Sequence, residues 1–424
     1  MLDVLDFLII GAGPAGLYAA QYIVDHSTTP ISLEIVEQKS FPGGRTRMTQ
    51  YCGHKVPGGA GVVRNTDPLL IDLCQRHHIP LKFKGKTVYY PFTQQPMHLL
   101  DVIRQWKREW QRECTPEKRS KMTFRDFLRS RCPTKEKQEE FINTVGYSDF
   151  LDADVTDTLW DYGWKDVVGD SEGGTTTSSL DWNLLCRRMV SSIRRHRHAD
   201  TSISFSTKVL RLLFVPKSSS SSTSSSLWKV TCQNADGKTV HKKARSIILA
   251  IPSSSIETLL QHSHFPSKHK ILQAISRNVG MQPFLRLYAT LPPPSQPKKH
   301  GIILHQSSPL QKSIPLFSLP NQQRAWMLSY SDNQRALTTL KSSASTLSSW
   351  TENHILPTHL HRVFHREGTH FFKPLPTKYK DRNEFLHWIQ HPLPSLYIVG
   401  EGFSRNQGWT EGALESVLSI GSFF

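Results

Sequence analysis

Three groups of residues have types and spacings that imply chemistry. The first is Gly11, Gly13 and Gly16 in GAGPAG, followed by the acid Glu37, 21 residues beyond Gly16. Gly11 permits a tight turn, Gly13 lets a pyrophosphate approach the backbone, and Gly16 lets a helix pack closely on a strand. An acid at Glu37 can bind the ribose hydroxyls of an adenosine. The second group lies in residues 42–61, PGGRTRMTQYCGHKVPGGAG, where two glycine pairs flank a short segment. Gly44 and Gly59 allow a ligand to come against the backbone, and Arg45 is placed to meet an anionic group. The third group is Gly408-Trp409-Thr410-Glu411-Gly412-Ala413, directly after an apolar run. A helix opening there points its N–H groups and positive dipole end at a ligand that gains negative charge. The plain alternative to the first group is a glycine-rich turn that binds nothing, and its flanking elements argue against that.

Those elements follow from hydrophobic pattern. Residues 7–10 form a short apolar run suited to a buried parallel strand, the apolar stretch 17–24 reads as a helix packed on a sheet, and 31–36 reads as a second strand ending at Glu37. Helical spacing with mixed charge recurs at 67–78, 98–112, 124–131, 135–145 and 182–197. Strands are expected at 203–215, 227–232 and 240–252, then at 278–290, 325–333 and 396–400. Between the first two of these lies PKSSSSSTSSS, which cannot bury a core and reads as a long hairpin loop without chemistry, its serine-rich part being 218–226. The segment 146–167, GYSDFLDADVTDTLWDYGWKDV, is rich in aromatics and acids that read mostly as packing residues and N-caps.

A chain of 424 residues is long enough for two domains. No apolar run approaches the roughly 20 residues of a membrane span, and the N-terminus lacks a basic-then-apolar signal, so a soluble, cytoplasmic protein is expected. The six cysteines are scattered with no CxxC pair, which suggests neither a disulfide framework nor a metal site. The net charge of +17 raises the question of a nucleic-acid partner. Its basic residues are spread along the chain with acids among them, and they read as solvated helix faces instead.

GAGPAGL, Glu37, PGGRTRM and PGGAGVV, in this order, resemble the FAD-binding start of the flavin-containing amine oxidases, the family of monoamine, polyamine and L-amino-acid oxidases. QGWTEGA is similar to that family's closing flavin motif. The resemblance implies an α/β fold: a Rossmann-like FAD-binding domain, discontinuous in sequence, with an inserted α+β substrate domain. The FAD-binding parts would be 1–80, 205–252 and 395–424, and the substrate parts 81–204, mostly helical, and 253–394. FAD would be held by Gly11, Gly13, Gly16, Glu37, Gly44, Arg45, Gly59 and Ala60, by the backbone at Val209, and by Glu401, Thr410 and Ala413. No cysteine follows Cys232, so the attachment would be non-covalent.

The implied reaction is passage of hydride from the α-carbon of a neutral amine to flavin N5. Imine hydrolysis gives an aldehyde, and O2 reoxidises the flavin to give hydrogen peroxide. Trp409 would be one wall of an aromatic cage, and His370 or Phe372 would replace the usual tyrosine as the other. Where many members carry a lysine facing flavin N5, this chain has none: Arg286 is the nearest basic residue and Phe284 a candidate for the position. That departure leaves the oxygen-activating contact open. A polyamine or small amine is the expected substrate, with Asp149, Asp152, Asp154 and Asp161 as candidate holders of distal ammonium groups. An L-amino acid is the alternative, with Arg64 as the carboxylate clamp. Two further alternatives are a flavin desaturase or isomerase and a non-catalytic flavoprotein scaffold.

Overall fold

A computed structural model describes residues 4–89, 98–168, 174–197, 199–216, 226–292, 301–305, 308–351 and 354–421. Most of the serine-rich stretch lies outside the described residues.

The first sheet is built on Val4–Ile10. It pairs in parallel with Ile31–Val36 on one side and Thr239–Leu249 on the other. Ala199–Ser204 extends the sheet in parallel beyond Ile31–Val36. The other edge of Thr239–Leu249 is shared: its first half pairs antiparallel with Leu227–Gln233, and its last three residues pair in parallel with Leu396–Ile398. Lys208–Val215 completes the antiparallel meander. Period-two alternation sends Ile9 to one face, and Leu8 and Ile10 to the other. The Ile9 face is covered by Pro14–His26, Pro68–Arg76, Trp182–Arg194 and Thr410–Leu418, and the opposite face by Ser253–Gln261, Lys268–Asn278 and Arg382–Gln390. A mainly parallel sheet buried on both faces is the doubly wound arrangement, whose ligands sit at the carboxyl ends of the strands.

The second sheet runs Thr358–Phe372, Val279–Leu291, Arg324–Asp332, Lys312–Ser318, Ile302–Leu304 and Val88–Tyr89. Beside it lies a helical lobe of Leu99–Glu113, Phe124–Arg131, Lys135–Val145 and Val155–Asp161 around an aromatic core that includes Trp106, Trp110, Phe124, Phe141, Phe150 and Trp164. Phe150 and Trp164 thus pack, as expected for the aromatics of 146–167.

Two expectations need correction. The continuous strand 203–215 is two strands, because Ser206 takes φ 51° and turns the chain between them. That turn is tied to the residues just after Ile31–Val36 by Ser206 N–H donating to the Lys39 carbonyl and Thr207 N–H to the Glu37 carbonyl. Ala199–Ser204, expected in the substrate part 81–204, is a strand of the first sheet, and Trp182–Arg194 packs on its helical layer. Among the described residues no helix is long and apolar enough to cross a membrane.

Candidate active site

The ends of the central strands, Ile10, Val36 and Val399, open onto a cavity of about 930 Å³. Three helices begin on it. The first starts at Pro14 after Gly13, the second at Ser253 after Pro252, and the third at Thr410 after Trp409. Each presents a positive dipole end, and at the second the first N–H groups are already taken: Ser253 N–H donates to His370 Nε2 at 3.3 Å and Ser254 N–H to the Glu367 carboxylate at 3.4 Å.

The glycines divide by role. A Cβ at Gly16 would lie 1.9 Å from the Gly11 carbonyl oxygen, so this glycine permits the close approach of helix and strand and does not line the cavity. A Cβ at Gly13 meets nothing within 4 Å, so the position faces open cavity. Gly44, at φ 52°, brings its loop against Gly13, and Gly59 packs so tightly on the Arg45 carbonyl that a Cβ would lie 1.7 Å from it. Gly11, Glu37, Gly44, Arg45, Gly59, Ala60, Val209, Glu401, Trp409, Thr410 and Ala413 all line the cavity.

Glu37 is held by its own strand end: its carboxylate accepts from Ala12 N–H at 2.8 Å and Lys39 N–H at 2.8 Å. Glu401 accepts from Arg45 at 2.7 Å and from Gly408 N–H at 3.0 Å, and lies 2.5 Å from His370 Nδ1. Burial opposes its ionisation, yet His370, Arg45 and the hydrogen bonds outweigh burial and hold the carboxyl well below the usual range. Arg45, partly exposed, and the buried Glu401 therefore form one pair at the cavity wall, and it joins segments 356 residues apart. Glu411, in the same closing motif, accepts the N–H groups of Leu69 and Leu70 and caps the Pro68–Arg76 helix.

Several candidates are engaged by the protein itself. His370 is 4% exposed, both its ring nitrogens are engaged, by Glu401 and by the Ser253 hydroxyl at 2.9 Å, and its ring lies against Gly402. It lines the cavity and braces Glu401. Phe372 packs in the core against Phe385 and does not line the cavity. Arg64 donates to Asp67 at 2.6 Å and Asp166 at 2.7 Å, and its guanidinium carbon lies 3.9 Å from the Trp409 ring. Two carboxylates neutralise it, its guanidinium lies over Trp409, and it does not line the cavity. The four aspartates are also committed: Asp149 to the Tyr162 hydroxyl, Asp152 to Arg125, Asp154 to Arg119 and an N-cap, and Asp161 to Arg405. None of them lines the cavity.

The second sheet contributes Phe284, Arg286 and Tyr330, with His365 and Thr369 from Thr358–Phe372. Arg286 is 5% exposed; its guanidinium carbon lies 4.2 Å from the Tyr330 ring and Nη1 is 3.2 Å from Met327 Sδ. Among the described residues no carboxylate lies within 4 Å of it. His365 Nε2 donates to the Gly58 carbonyl at 2.8 Å, and burial pushes its pKa down. Tyr147 stands behind this wall, edge-on to Tyr330, with the Lys312 ammonium 3.5 Å from its ring. Burial pushes Lys312 down to about 7, with Lys86 adding to the effect. Tyr330 and His365 escaped the sequence reading; both lie in strands whose register decides which side chains face inward.

A model of the flavin-containing amine oxidoreductases matches residues 14–418, so the chain belongs to that family, an oxidoreductase of amines with a flavin cofactor. Among solved structures it is similar to putrescine oxidase bound to putrescine, with a TM-score of 0.75 and 12% identity over 99% of this chain and 98% of that chain. It is also similar to cyclohexylamine oxidase from Brevibacterium oxydans IH-35A, with a TM-score of 0.72 and 14% identity over 99% of each chain. At such identities the likeness is one of fold. No curated protein sequence matches the chain.

Proposed function

We propose that the chain is an amine oxidase that holds FAD non-covalently and oxidises a small amine. One observation carries this reading: a single cavity gathers both glycine-rich motifs and continues to a wall of Phe284, Arg286, Tyr330 and Trp409. The residues fit the cofactor. The bare face of Gly13 leaves room for a pyrophosphate, the helix starts at Pro14 and Thr410 supply positive potential, and Glu37 stands where an adenosine ribose would be held. When bound, the flavin supplies two-electron oxidation of the amine to an imine, with O2 taking the electrons as hydrogen peroxide.

The chain's own groups position the reactant and exclude water. Trp409, Phe284 and Tyr330 present apolar ring surface, which favours an uncharged amine by desolvation. Arg64 lies over Trp409, and the pair Arg45–Glu401, braced by His370, fixes the loop before it. The likeness to putrescine oxidase supports a diamine, but among the described residues the cavity wall offers no free carboxylate for a distal ammonium, which supports a shorter substrate.

The test is chemical. Purified protein should be yellow, acid or heat should release FAD into the supernatant, and a panel of small amines should give peroxide and consume oxygen. A flavin that stays with the denatured chain contradicts non-covalent binding, and silence with every amine contradicts the oxidase reading.

A further inference from the structure

We infer that the chain carries a second binding site, away from the cavity, for a small molecule bearing two or more phosphate groups. It is a recess of about 610 Å³ where the ends of two helices, Pro68–Arg76 and Trp182–Arg194, meet.

Residues 187–197, RRMVSSIRRHR, hold five arginines and no acid, and residues 76–78 are Arg-His-His. Read alone, such a run is a solvated helix face. The fold instead brings both stretches to one recess, lined by Arg76, His77, Arg188, Arg195 and Arg197. Arg76 has carboxylate partners, Asp72 at 2.8 Å and Asp25 at 3.6 Å. Among the described residues no carboxylate lies within 4 Å of Arg188, Arg195 or Arg197. Arg188 donates to the carbonyls of His77 and His78, at 2.5 and 2.9 Å, which are neutral acceptors and leave its charge uncancelled. The two helix C-termini supply roughly half a negative charge each, against three guanidiniums, so the recess is left positive by roughly two charges. His77 lines the recess at 8% exposure, and its Nε2 has no hydrogen-bond partner in the protein. A buried polar atom in that state calls for a bound ion or water. Burial, followed by Arg76, pushes the pKa of His77 down, in keeping with a positive field.

The donors define the ligand. Guanidinium forks pair bidentately with phosphate oxygens, and the hydroxyls of Ser191 and Ser192 on the same wall can donate to others. Arg188 and Arg195 stand about 10 Å apart along the chain axis, which favours phosphates in a row over a lone one. The volume falls in the range of small-molecule pockets, roughly 300–1,000 Å³. A nucleic acid is held by a stripe of charge that follows its backbone, whereas these arginines converge on one recess. The site is separate from the cavity. Asp25, beside Arg76, is the next-to-last residue of Pro14–His26, whose first residue borders the cavity. The recess thus lies about one 13-residue helix, roughly 20 Å, from the cavity and shares no residue with it.

The test is calorimetric titration of the flavin-loaded protein with tripolyphosphate, pyrophosphate and orthophosphate at physiological ionic strength, with a single-stranded oligonucleotide titrated alongside. It is run on wild type, Arg195→Gln/Arg197→Gln and Arg195→Lys/Arg197→Lys. A control, Lys121→Gln/Lys135→Gln, removes the same charge from exposed positions of the helical lobe. Arg195 and Arg197 are exposed, so their variants should keep the wild-type melting temperature and flavin content. The expected result is one tripolyphosphate per chain, bound more tightly than pyrophosphate and far more tightly than orthophosphate. Affinity should fall by at least about 30-fold in the glutamine variant, less in the arginine-to-lysine variant, and by no more than about 3-fold in the control. No binding, an affinity unchanged in the glutamine variant, or an equal loss in the control overturns the site. Tighter binding of the oligonucleotide than of tripolyphosphate also overturns it, in favour of a nucleic-acid surface. The arginine variants separate the recess from the cavity whether or not flavin is bound, and no outcome depends on amine turnover, so the site stands or falls apart from the oxidase reading.

Discussion

Gly13 and Gly16 stand three residues apart, yet a side chain at each meets opposite surroundings. A Cβ at Gly13 points into the cavity, whereas one at Gly16 collides with the Gly11 carbonyl. Gly13→Val should therefore fold with the thermal stability of the flavin-free wild type but purify without flavin, and Gly16→Val should unfold at markedly lower temperature. Equal flavin content in wild type and Gly13→Val would contradict the pyrophosphate role. Trp409→Ala should keep flavin and slow its reduction by an amine about 10-fold or more, since one apolar wall is lost; stopped-flow absorbance measures this, and an unchanged rate removes Trp409 from the substrate wall. Lys312 gives a pH signature. The folded lysine titrates at about 7 and the unfolded one at 10.5, so its charge opposes folding increasingly as pH falls from 10.5 to 7, and uniformly below. The melting temperature of Lys312→Met minus that of wild type should be more positive at pH 6.5 than at pH 9.5. The same difference at both would contradict the burial assigned to Lys312.

At the scale of elements, the closing helix does two jobs. Its first turn faces the cavity through Thr410, and Glu411 caps the Pro68–Arg76 helix through the N–H groups of Leu69 and Leu70. Glu411→Ala leaves both without that acceptor and should cost about 1–2 kcal/mol in thermal or urea unfolding, with Glu411→Gln intermediate; no loss would mean that the cap is idle. What was legible in sequence follows the range of the interactions. The strand–turn–helix at Val4–His26 and the helices Phe124–Arg131 and Lys135–Val145 are written in local pattern, and the sequence reading found them. The fate of Arg64 depends on Asp166, a hundred residues away, and that of His370 on Ser253 and Glu401. Such pairings carry no local signal. The break at Ser206 was missed because its residues keep strand-like composition across the turn.

For the whole molecule, the helical lobe is tied to the nucleotide-binding half by buried charge. Arg382, with its side chain fully buried, donates to Asp157 at 2.7 Å, and Arg119 joins Asp154 and Asp157 from the lobe itself. Removing one member leaves buried carboxylates short of a partner, so Arg382→Met should lose about 3–5 kcal/mol in denaturant unfolding. A loss below about 1 kcal/mol would show that the network does not secure the lobe. The cavity lies where the two sheets meet, and one lends it the dinucleotide cradle while the other lends it Phe284, Arg286 and Tyr330. The most direct test of that account is an anaerobic absorption spectrum of the purified protein, titrated with amines and amino acids. The account predicts an oxidised-flavin spectrum that bleaches with a small amine-bearing substrate and returns on admitting air. A protein with no flavin, or a flavin that no amine bleaches, would contradict it.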